Sequence, residues 1–135
     1  MKPRVYIEAT IPCLLTAWTS KDLIRAAQQR ATIEWWARRG EFELFISQLV
    51  IGECSEGDPV AAAERLRVLA GLPILDNAGA APALAAALLA QVPLPPRAAA
   101  DALHIATASV HGVGWLLSWN CAGASTDLGS ASNVG

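Results

Sequence analysis

Arg4-Val-Tyr-Ile-Glu8, with Thr10-Ile-Pro12 immediately behind it, reads as a short buried strand that turns at once into a helix. β-Branched and aromatic residues favour the strand, Thr10 can cap the helix, and Pro12 suits its first turn. The strand ends in an acid, which places Glu8 at the strand-to-helix junction. The same alternation recurs downstream. Ser20 through Arg39 reads as a long helix, with Leu23, Ala26, Ala27, Ile33 and Trp36 near the helical period and Gly40 as its stop. Phe42–Ile46 alternates as a strand, and Ser47 can cap a short helix carrying Val50, Glu53 and Cys54. Gly57-Asp-Pro59 opens a helix that runs to Ala70 and stops at Gly71. Pro73–Asp76 is a brief strand, Ala80–Gln91 an alanine-rich helix ended by the Pro93–Pro96 loop, and Arg97–His111 a further helix. Gly114–Trp119 closes the pattern as a buried strand, with Asn120 after it. Strands alternating with helices predict an α/β fold with a central parallel sheet, helices on both faces, and ligands at the carboxyl ends of the strands.

The length of 135 residues suits one domain. Hydrophobic residues make up 53%, but 27 of those 72 are alanine, which points to close helix packing rather than a membrane. Asn77–Pro96 and Ala102–Thr126 lack charges, yet prolines interrupt the first, while histidines, glycines and Asn120 interrupt the second; neither is expected to span a bilayer. The basic start followed by Glu8 does not read as a signal peptide. Cys13, Cys54 and Cys121 lack metal-type or redox-type spacing and suit reduced thiols in a cytoplasmic protein. Net charge is −2, so the chain does not advertise general nucleic-acid binding. Its distribution is uneven: residues 1–40 carry seven bases against three acids, and residues 41–135 three against nine. Such asymmetry suits an anionic substrate approaching a metal site, although two ordinary solvated faces would produce it as well. Residues 122–135 are small and polar, too poor in large side chains to offset their ordering entropy, and are expected to form a loose tail.

Glu8 after the first strand, Glu53 in the short helix after the second, Asp101 early in a helix and Asn120 after the last strand can meet at one sheet edge. Carboxylates gathered there repel one another unless a divalent cation neutralises them. Hard oxygen ligands at an open site suit Mg²⁺ or Mn²⁺. Each residue also has a plainer role: Glu8 or Asp101 can favour a helix N-terminus, Glu53 can be solvated, and Asn120 suits a turn. His104, one turn from Asp101, reads better as a packed, hydrogen-bonded helix residue than as a general base. His111 before Gly112 suits a helix C-terminus, Trp115 and Trp119 suit packing, and one of Trp35 and Trp36 suits a partner surface.

Four segments together resemble the PIN domain of VapC-type toxins: Val5-Tyr-Ile-Glu-Ala-Thr10, Ile46-Ser-Gln-Leu-Val-Ile-Gly-Glu53 with Gly57-Asp-Pro59, Asp101-Ala-Leu-His-Ile-Ala106, and Leu116-Leu-Ser-Trp-Asn-Cys121. The resemblance covers residues 4–121 and implies a PIN-like domain over 1–121, with a three-layer α/β/α fold. It carries the family's first acid, usually Asp, onto Glu8, the second onto Glu53 and the third onto Asp101. The fourth falls on Asn120, an uncharged group that can still offer an oxygen. Thr10 falls where the family often has a hydroxyl that orients a carboxylate or water. Relatives of this branch continue with further helix and strand; here the small-residue tail follows, so the usual C-terminal strand is expected to be missing.

What the resemblance implies is a Mg²⁺- or Mn²⁺-dependent endoribonuclease toxin. Glu8, Glu53 and Asp101 would hold the metal, Asn120 and Thr10 would position water or carboxylate, and an activated water would attack the RNA phosphodiester. Implied partners are RNA, a cognate antitoxin and a twin subunit, with no membrane. An impaired PIN remnant that only binds antitoxin, a twin subunit or RNA is the alternative. A phosphatase or DNA nuclease on the same site is a third possibility, because fold does not fix substrate.

Overall fold

The computed structural model describes residues 1–91, 98–119 and 131–133. Strand β1 (Arg4–Ile7) leads into helix α1 (Thr10–Thr16), and helix α2 (Leu23–Ala37) follows. A single 3-10 turn at Arg39–Glu41 carries Gly40 and connects to strand β2 (Glu43–Ser47). Helices α3 (Gln48–Cys54) and α4 (Pro59–Leu69) come next, then strand β3 (Ile74–Leu75) and helices α5 (Ala81–Gln91) and α6 (Ala98–Val110). Strand β4 (Trp115–Leu117) completes a parallel sheet of order β3-β2-β1-β4. The α/β alternation expected from the sequence is thus present.

Several helix starts have the expected chemistry. Ser47 accepts from the Val50 N–H at 3.4 Å, and Asp58 accepts from the Ala61 N–H at 2.9 Å with Pro59 in the first turn. Gly71, with φ of 85°, takes the left-handed conformation that lets the chain leave α4 without side-chain strain. Two starts differ. Helix α2 begins at Leu23 rather than Ser20, capped by Asp22, which accepts from the Arg25 N–H at 3.0 Å. Thr10 does not cap α1 but is its first residue, because its hydroxyl is engaged by Glu8 and Trp119.

The sheet core is Val5, Tyr6, Ile7, Leu44, Phe45, Ile46, Leu116 and Leu117, all buried. Successive strand residues point to opposite faces. Val5 borders a cavity with Trp35 of α2, whereas Tyr6 bonds His104 of α6, so helices cover both faces. Helices α5 and α6 pack through Ala81, Ala85, Ala102 and Ala106, where small side chains permit close approach.

Helix α2 turns a face to the core other than the one its apolar spacing predicts. Leu23, Ile24 and Ile33 are exposed, while Gln29 and Thr32 are buried. Hydrogen bonds explain the inversion. Gln29 receives the Ser20 N–H and donates to the Trp18 carbonyl, both at 2.9 Å, and Thr32 bonds the Gln28 carbonyl and the Trp119 indole. Satisfied polar groups can be buried at little cost. Trp35 and Trp36 both pack, half-buried, against the core, Trp35 stacked on Phe42 and Trp36 under Arg39. The expected surface tryptophan is instead Trp18, which is 96% exposed.

Beyond β4, Ala131–Asn133 forms a fifth strand, β5, antiparallel to β4. The sheet therefore has a C-terminal strand where the sequence predicts none. The remainder of the expected tail lies outside the described residues, as does Asn120. Among the described residues, no helix is long and apolar enough to cross a membrane.

Candidate functional site

Chain direction reverses its sideways progress at β1: the connections run β1 to β2 to β3 on one side, then cross to β4 on the other. Ligands of open parallel sheets gather at the carboxyl end of such a switch point. Glu8 lies there, one residue past β1 and only 5% exposed. Its Oε1 accepts from the Thr10 N–H at 2.9 Å, the Thr10 hydroxyl at 2.5 Å and the Ser118 hydroxyl at 2.8 Å. A carboxylate can be enclosed when its oxygens are bonded in this way. Among the described residues no hydrogen bond falls on Oε2. The Thr10 oxygen in turn accepts from the Trp119 N–H at 2.9 Å, which ties the end of β1 to the end of β4.

Glu53 reaches the same edge from the last turn of α3, a helix that Ser47 starts directly from β2. Its Oε1 lies 2.9 Å from His104 Nε2. Glu8, Glu53 and His104 each offer one ligand atom, and these atoms lie within 4.8 Å of one another. Behind them, His104 Nδ1 is 2.6 Å from the Tyr6 hydroxyl, itself 2.7 Å from Ser47 Oγ. Burial, with smaller contributions from Glu53 and Glu8, pushes the Tyr6 pKa well above the ordinary phenol range, so the phenol keeps its proton.

The structure thus brings together Glu8, Thr10 and Glu53 of the residues singled out in the sequence. Asp101 sits in the first turn of α6, half-buried, three residues before His104 and outside the group of three ligand atoms. Asn120 falls outside the described residues. Sequence reasoning missed two parts of the site. Ser118 looked like one more strand residue, and Tyr6 like one more core aromatic. Alternation along β1 and β4 was the available signal, because it sends Tyr6, Glu8, Leu116 and Ser118 to one face. His104 is packed and bonded at both ring nitrogens, and it also lies among the possible ligands.

The donor set fits a hard divalent cation. Two carboxylates face one another, and among the described residues neither forms an ion pair with Lys or Arg. A divalent cation between them would neutralise such a pair. No protein-family model matches the chain. Nor does any curated protein match it.

Proposed function

We propose that the chain is a divalent-metal-dependent endoribonuclease of the PIN type, a three-layer α/β/α protein serving as the toxin of a toxin–antitoxin pair. The observation that carries this reading is the convergence of Glu8 and Glu53 at the carboxyl edge of a parallel sheet, neither paired with Lys or Arg among the described residues. Glu8 and Glu53 would hold Mg²⁺ or Mn²⁺ together with Asp101 of the first turn of α6. When bound, the ion supplies charge that polarises a phosphoryl oxygen and activates water for hydrolysis. Thr10 and Ser118 keep the Glu8 carboxylate in one orientation, and Thr10 also fixes the backbone of Trp119 beside it. The surplus of basic residues in 1–40 favours approach of a polyanion.

Incubation with RNA, single-stranded DNA and a simple phosphate ester, with Mn²⁺ or with chelator, tests the reading. The expected outcome is Mn²⁺-dependent internal cleavage of RNA alone, lost in Glu53→Gln and Asp101→Asn proteins that keep the wild-type thermal midpoint. Cleavage that persists in both variants, or that ignores chelator, refutes it. A second reading, an impaired remnant that binds a twin subunit or antitoxin, draws support from the exposed apolar surface of Leu23 and Ile24 on α2, 85% and 69% exposed. Metal binding without turnover on any of the three substrates would favour it.

A further inference from the structure

Beneath the site runs an unbroken line of side-chain hydrogen bonds: Ser47 Oγ to Tyr6 Oη at 2.7 Å, Tyr6 Oη to His104 Nδ1 at 2.6 Å, and His104 Nε2 to Glu53 Oε1 at 2.9 Å. Ser47 and Tyr6 are fully buried, and His104 is 1% exposed. The line crosses from β2 to β1 to α6 and returns to α3, so it is a tertiary device rather than a local turn or cap.

We propose that Tyr6 and His104 are positioning residues, which hold the Glu53 carboxylate in one orientation by fixing the tautomer of His104. The inference rests on the reading of Glu53 as an ion ligand. Its direction follows from donor and acceptor chemistry. An ionised Glu53 only accepts, so the shared proton belongs to His104 Nε2. A neutral ring then offers Nδ1 as an acceptor, and the Tyr6 hydroxyl donates to it. Ser47 donates to the Tyr6 oxygen, while Ser47 Oγ accepts from the Val50 N–H at the start of α3. Each link has one donor and one acceptor, so α3 is bonded at both ends of the line: Val50 in its first turn and Glu53 in its last.

The arrangement also separates two roles for His104. Direct ligation needs a ring nitrogen with a free lone pair, and both nitrogens already have protein partners. To bind an ion, His104 would have to abandon either the enclosed Tyr6 hydroxyl or Glu53. Hydrogen bonds to ligating groups set their orientation, and losing them commonly lowers metal affinity about 10–100-fold. His104 therefore serves the ion through Glu53.

Nitrogen NMR on the metal-free full chain at neutral pH reads the tautomer directly, with His104→Gln separating its signals from those of His111. A proton on Nε2 and a bare Nδ1 are expected; a proton on Nδ1 overturns the proposal. Calorimetric titration with Mn²⁺ supplies the second readout. Relative to wild type, Kd is expected to rise about 10–100-fold in His104→Leu. A smaller rise is expected in His104→Gln, whose amide retains a donor toward Glu53, and in the nearly isosteric Tyr6→Phe, which removes only the tautomer lock. Folded His104→Leu or, should that protein not fold, Tyr6→Phe and His104→Gln together, binding Mn²⁺ as wild type does, overturns the proposal. A wild-type chain that binds no Mn²⁺ refutes the ion reading instead, and the NMR result then decides whether the line points at Glu53.

Discussion

Thr10 joins the two strand ends that frame the site, through one oxygen that donates to Glu8 and accepts from the Trp119 N–H. Thr10→Val keeps the shape and removes both bonds, leaving a part-buried N–H and an enclosed carboxylate short of partners. Urea unfolding should show a loss of about 1–3 kcal/mol, largely restored in Thr10→Ser. Cys54 is a contrasting case, a thiol enclosed without a reactive role. Burial pushes its pKa up from 9.0 to about 12, with a smaller contribution from Cys13. The thiolate is the nucleophile, so Cys54 should resist alkylation at pH 8 in the native protein and react once urea unfolds it, as peptide mapping will show. The linked stability is complete below pH 9.0 and declines as pH rises toward about 12, because the unfolded chain releases the thiol proton first.

Helix α2 shows how an element can carry an apolar stripe and still bury something else. Gln29 fastens the segment before the helix by bonding Trp18 and Ser20, and Thr32 receives the Trp119 indole. These partners come from outside the helix, so no helical period could announce them. Gln29→Leu, an apparently favourable change in a core, should destabilise by about 1–3 kcal/mol, since it strands a backbone donor and a backbone acceptor. Leu23→Lys and Ile24→Lys, which remove apolar side chains, should change stability by about 0.5 kcal/mol or less, because both sites face water. Thermal and urea unfolding of the three variants check the pair of expectations, and the reverse order would mean that α2 sits the other way round.

At the scale of the whole molecule, strand β4 is the point at issue. It pairs with β1 on one side and with β5 on the other, Leu117 opposite Ala131 and Trp115 opposite Asn133. Ending the chain after residue 121 removes β5 and leaves unpaired the backbone groups that β4 turns away from β1. An open edge is a template for pairing with another chain. The truncated protein is expected to melt several degrees lower and to show concentration-dependent association in light scattering. An unchanged midpoint and a monomeric profile would mean that β5 contributes little to the sheet.

Local rules by themselves determined the order of strands and helices, the caps at Ser47 and Asp58, and the position of Glu8 at a strand end. Each depends on neighbours within a few residues: β-branched runs, a capping oxygen before a turn, a proline in a first turn, a glycine after a last one. Tertiary structure alone decided which carboxylates meet. Glu8 and Glu53 come together because β1 and β2 are adjacent and parallel, and α3 starts directly from β2. Residue spacing does not encode that adjacency. It also decided that Tyr6, a core aromatic by pattern, is a link between Ser47 and His104. A buried hydroxyl needs a partner, but only the packing of α6 on the sheet says which one it finds.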